Sequence, residues 1–148
     1  MQEFPIAPGG LKPLWILVPV VLLMAGVLTV LTISVLGSRA ARFTVSPDGL
    51  RLQGDLYGRF IPAGQLRPAM ARRIDAATSA ELRPTRRTMG TGMPGYRAGW
   101  FRLANGERAL LYLTDASKAV YIPTSDGYSV LVSPVDPDGF LAALQRPR

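Results

Sequence analysis

Apolar residues run without a charge from Leu14 to Leu36, and beyond Arg42 they break into short alternating runs. As a helix rising about 1.5 Å per residue, the first stretch spans roughly 34 Å, against a hydrocarbon core of about 30 Å. It is apolar on every face, unlike the helices that line a soluble core. It is also longer than the apolar segment of a cleaved signal peptide, about 7–15 residues. The pattern therefore predicts a retained transmembrane helix over 14–36. Trp15 stands near one end, where interfacial aromatics gather, and Pro19 sits where a lost hydrogen bond is best tolerated. Only Lys12 precedes the stretch, whereas the juxtamembrane Arg39 and Arg42 follow it. That bias predicts a single pass with the C-terminal domain in the cytoplasm. The Pro/Gly-rich residues 1–13 read as a short disordered tail, and 37–42 as a juxtamembrane linker.

After the linker the spacing predicts strands. Phe43, Val45, Leu50 and Leu52 form two alternating pairs joined at Ser46-Pro47-Asp48-Gly49, a turn sequence. Leu56 to Ile61 reads as a third strand stopped by Pro62. Gln65 to Ala80 fits a loop with some helix. Leu82-Arg83-Pro84 resembles a short edge strand, since proline cannot donate to a ladder. Arg86 to Gly95, with three glycines and a proline, reads as a long loop. Four more short strands follow, over 99–103, 109–114, 119–122 and 128–132. Their hairpin-like links, Asn105-Gly106 above all, predict a meander. Asp136 and Pro137 begin a closing helix whose Phe140, Leu141 and Leu144 share one face. The domain so delimited covers 43–145, leaving 146–148 as a tail.

Composition narrows the chemistry. The chain has no cysteine and no histidine. Disulfides, thiolate metal sites and cysteine nucleophiles are thereby excluded, and the commonest metal ligand and general base are missing. The aspartates sit mainly at turns and show no paired-carboxylate or metal spacing. The expectation is a non-enzyme with no cofactor and no metal. The net charge of +7 is uneven: 67–108 holds nine arginines against Asp75, Glu81 and Glu107. Such a surface suits an anionic partner, a solvated face being the plainer reading. Arg72, Arg73, Arg86, Arg87 and Arg97 are the candidate contacts for an anionic ligand. The segment RRTMGTGMPGY is not a phosphate loop, because no Lys-Ser or Lys-Thr and no helix follow its glycines. The pattern argues against nucleic acid as a partner, since only Trp100-Phe101-Arg102 approaches a base-stacking arrangement.

Several segments together resemble a bacterial PH-domain family. They are Tyr57-Gly58-Arg59 with Ile61-Pro62, Arg87-Thr88 with Gly90-Thr91-Gly92 and Pro94-Gly95-Tyr96, Gly99-Trp100-Phe101, and Tyr121-Ile122-Pro123-Thr124. The closing Asp136-Pro137 helix fits as well. The resemblance covers about 43–144 and implies a pleckstrin-homology-like fold: a bent antiparallel barrel of about seven strands capped by a C-terminal α-helix. It implies no catalytic residues. The chain is thus expected to be a membrane-anchored adaptor whose PH-like domain binds a protein partner or its own copies, the alternative being recognition of anionic lipid through the arginines named above.

Overall fold

The computed structural model describes residues 9–54 and 56–146. Residues 1–8 of the expected N-terminal tail and 147–148 of the expected C-terminal one lie outside the described residues. The chain divides into two compact units, Met1–Leu36 and Gly37–Arg148.

The apolar segment opens with a 3-10 turn, Lys12–Ile16, and continues as helix α1, Leu17–Ala40. The window Leu14–Ile33 has a mean hydropathy of 2.7, and none of it is buried. By length and composition this helix can cross a membrane. The hydroxyls of Thr29 and Thr32 donate to the carbonyl oxygens of Ala25 and Leu28, each at 2.8 Å, so neither needs water or a second helix. Pro19 falls in the first turn, where no intrahelical partner for its missing N–H is lost. The helix runs on through Gly37–Ala40, the first part of the expected linker.

Among the described residues the second unit contains nine strands, rather than about seven, and one complete α-helix. Strands β1 (Arg42–Ser46), β2 (Gly49–Gln53) and β3 (Arg59–Pro62) form an antiparallel three-stranded sheet. Its first hairpin turns at Pro47-Asp48, as the spacing predicts, with Ser46 opposite Gly49. Strands β4 (Arg72–Ile74), β5 (Pro84–Met93), β6 (Tyr96–Leu103), β7 (Arg108–Leu113), β8 (Ala119–Pro123) and β9 (Ser129–Val132) form a six-stranded sheet ordered β4-β8-β9-β7-β6-β5.

Three expectations are corrected. The barrel is not closed: the two sheets share no ladder, and among the described residues only the bridge Leu66 to Thr124 lies outside the named strands. The chain leaves β3 through Pro62 into short 3-10 turns, and between them pairing across the seam is confined to Gln65–Arg67, where the Arg67 N–H donates to the Pro123 carbonyl oxygen and the Ser125 N–H to that of Gln65. The meander fails after β7. There β9 inserts between β7 and β8, parallel to β7 and antiparallel to β8, so not every pair is antiparallel. Arg86 to Gly95 is not a loop: its residues through Met93 belong to ten-residue β5, and Pro94-Gly95 makes the turn into β6.

The core has two parts, one on each face of the six-stranded sheet. Leu110, Tyr112, Val120, Ile122, Val130 and Val132 point toward the small sheet and meet Leu50, Leu52 and Ile61. Leu103, Leu111, Leu131 and Tyr121 point the other way, against Ala76 and Leu82 of the β4–β5 connection. Helix α2, Pro137–Gln145, is capped as predicted: the Asp136 carboxylate accepts from the Gly139 N–H at 3.0 Å. Its Leu144 is buried in the first core part, where Phe140 and Leu141 also pack.

Candidate functional site

The β5–β6 ribbon places most of the chemistry. Gly90 and Gly99 face each other across it with φ of 145° and 113°. A Cβ on Gly90 would collide with the Ala98 carbonyl oxygen, and one on Gly99 would stand 2.5 Å from that of Met89. The two backbones thus approach as only glycine allows. The ribbon turns at Pro94-Gly95, where Gly95 has φ of 80°, as the third residue of a type II turn requires. Between Pro84 and Leu103 there are four arginines and no acid.

Alternation distributes these arginines between two faces. Arg87 lies opposite Phe101, and Arg97 opposite Gly92 and Leu113. Arg87 Nη1 and Phe101 Cζ each lie 3.7 Å from where a Cβ on Gly92 would stand, so the bare glycine leaves room beside both. Here a cleft of about 710 Å³ opens, lined by Arg87, Arg97, Phe101, Met93, Leu113 and Ala116 among others.

On the opposite face Arg86 pairs with Arg102, and Arg102 with Arg108, so three arginines stand in a row across β5, β6 and β7. Trp100 shares this face. The Arg108 guanidinium lies 4.8 Å from the centre of its indole, and that of Arg59, from β3, lies 5.4 Å away. Arg59 also stands 5.7 Å from the Tyr128 ring, which meets Trp100 edge-on at 5.1 Å. Each such cation–ring contact contributes about 0.5–1 kcal/mol at an exposed site. Arg102 donates to the Gly106 carbonyl oxygen at 2.8 Å.

Of the five arginines expected to hold an anion, the structure brings only Arg87 and Arg97 to one place. Arg86 is on the other face of the ribbon. Arg72 and Arg73 belong to β4, at the far edge of the sheet. Arg72 lies over the Tyr121 ring at 5.1 Å. Arg73 pairs with Asp138 of α2 at 3.0 Å, an exposed bridge. Arg39 lies in the last turn of α1 and Arg42 begins β1. Arg59, Arg102 and Arg108 escaped sequence reasoning. Arg102 and Arg108 were within reach of it, because both are equally spaced about Asn105 of the hairpin turn. Arg59 comes from the other sheet, so only tertiary structure could add it.

The Tyr121 hydroxyl donates to Glu107 Oε2 at 3.1 Å, and buried Ser129 Oγ also bonds to this carboxylate. Burial raises the Tyr121 pKa above the ordinary phenol value, and the Glu107 charge acts in the same direction. The group ties the β6–β7 turn to β8 and β9. Among the described residues no cluster of carboxylates could hold a metal ion.

The family model for a bacterial PH domain matches residues 41–147. No curated protein and no solved structure matches the chain. The match takes in both sheets and α2 and leaves out the whole of the apolar helix. By its sequence from residue 41 onward, the chain belongs to the bacterial PH-domain family.

Proposed function

We propose that the chain is a non-enzymatic binding module, retained at the bacterial cell membrane by α1, whose PH-like domain takes an extended acidic segment of a partner protein along the outer edge of β5. The observation that carries this reading is that edge. Among the described residues β5 is the longest strand, lies last in its sheet and pairs only with β6. Its register is irregular between Pro84 and Met89 and regular from Met89 to Met93, over five uncharged residues. An unpaired edge of this kind accepts another strand through main-chain hydrogen bonds.

Charge selects the occupant. An added strand places alternate side chains beside Arg87 and the cleft, and the others beside Arg86. Acidic residues at these positions meet guanidinium groups. A second copy would instead bring two ribbons together, each with four arginines and no acid. Tethering at a membrane raises the local concentration of the domain, so a modest contact suffices. The lipid alternative loses ground here: one membrane surface would have to meet Arg72, Arg73, Arg86, Arg87 and Arg97 at both edges and on both faces of the sheet.

The test uses the full chain in phosphatidylcholine nanodiscs and a peptide of alternating Glu and Val. Amide hydrogen exchange in Met89–Met93 is expected to slow when this peptide is added, and to stay fast with the Lys/Val counterpart. Arg86→Glu combined with Arg87→Glu should remove the protection. Equal protection by both peptides, or protection at another edge instead, would overturn the reading.

A further inference from the structure

We infer that the corner formed by Arg59, Arg102 and Arg108 around Trp100 is a binding site for a multiply charged phosphate group. It lies on the face of the β5–β6 ribbon opposite the Arg87–Arg97 cleft and does not depend on strand addition at β5.

The argument starts from what these guanidiniums leave unused. Arg59 and Arg108 both lie against the Trp100 ring, at 5.4 and 4.8 Å from its centre. Their guanidinium carbons are therefore no further apart than the sum of those two distances. A guanidinium resting on a ring uses its face and keeps its in-plane N–H donors for an anion. Arg102 is directly opposite Arg108, and one of its N–H groups is already fixed on the Gly106 carbonyl oxygen. Arg86, opposite Arg102, extends the row. Among the described residues the ion pairs are Arg73 with Asp138 and Lys118 with Asp115, so no carboxylate there neutralises this corner.

Four like charges gathered from three neighbouring strands and a second sheet oppose one another unless an anion enters. The group is made entirely of arginine, whose fork matches two phosphate oxygens at once. The aromatic pair Trp100 and Tyr128 holds Arg59 in place before a ligand arrives, which lowers the cost of ordering it. A phosphate with two or more charges fits this density better than a single carboxylate.

Two sources carry that chemistry: a free phosphate compound, or a lipid headgroup ending in a phosphate monoester. The chain has two tryptophans, so Trp15→Phe leaves Trp100 as the reporter. This variant, in phosphatidylcholine nanodiscs, is titrated with inorganic pyrophosphate. In parallel, its emission is compared in nanodiscs containing phosphatidic acid or phosphatidylglycerol. A saturable change in Trp100 emission with pyrophosphate identifies the free compound. A change confined to phosphatidic acid identifies the headgroup. In either case Arg59→Gln and Arg108→Gln should weaken binding at least tenfold, and Arg72→Gln, at the far edge of the sheet, less than twofold. No saturable response to any probe would overturn the inference. Equal losses from Arg72→Gln and Arg108→Gln would also overturn it, since they would mark only general charge attraction. Unchanged circular dichroism of each variant keeps folding out of the comparison.

Discussion

At the scale of single residues, glycines in the β5–β6 ribbon have opposite roles. Gly90 has a left-handed φ and a backbone oxygen where a Cβ would stand, whereas Gly92 has ordinary space around that position. Gly90→Ala should therefore destabilise the full chain by about 2 kcal/mol or more. Gly92→Ala should be neutral or stabilise it by up to about 1 kcal/mol through the unfolded state. Thermal unfolding in micelles, followed by circular dichroism, checks both, and equal losses would refute the assignment. Tyr121 gives a pH signature. Its pKa is raised chiefly by burial, so the folded chain holds the phenolic proton more tightly than the unfolded one. The resulting stabilisation is fully present below about pH 10 and disappears as pH rises through the folded value. Tyr121→Phe should flatten this alkaline decline and, by losing the bond to Glu107, cost about 1 kcal/mol at neutral pH. Melting temperatures across the alkaline range provide the measurement.

At the scale of elements, α2 shows how local signals succeed. Asp136 caps it, Pro137 opens it and Leu144 is buried beneath it. Asp136→Ala should cost about 1 kcal/mol and Leu144→Ala about 2–4 kcal/mol, read from the same melts. These elements were legible because their determinants are neighbours in the chain, as is also true of the Pro47-Asp48 hairpin. β5 was not legible, because Gly90 and Gly92 look like loop residues until Gly99 is known to stand opposite the first of them. The order of β7, β8 and β9 was hidden for a similar reason: three short apolar runs with turns between them suit a meander as well as an insertion. The candidate site suffered most. Five arginines close together in sequence were separated by strand alternation and by sheet order, while Arg59 joined Arg108 through a tryptophan that no spacing connects to it.

At the scale of the whole molecule, the apolar helix and the PH-like domain have separate tests. If α1 is a retained anchor, protein extracted from membranes will have the intact mass of the full chain and resist alkaline carbonate. A mass lacking the apolar segment would show instead that it is a cleaved leader. The placement of β9 matters in a different setting, on the ribosome. Ser129–Val132 is the last of the described strands to be synthesised, yet it occupies the middle of the six-stranded sheet, and every residue in it is buried. Until it emerges, β4 and β8 share no ladder with β5, β6 and β7, and the sheet exists only as a two-stranded and a three-stranded piece with bare apolar flanks. The nascent domain must therefore wait for almost its whole length before it closes, a late closure of the kind that slows folding and exposes strand edges to chaperones. Stalled chains ending before residue 129 should stay protease-sensitive throughout the domain, including strands that were complete long before.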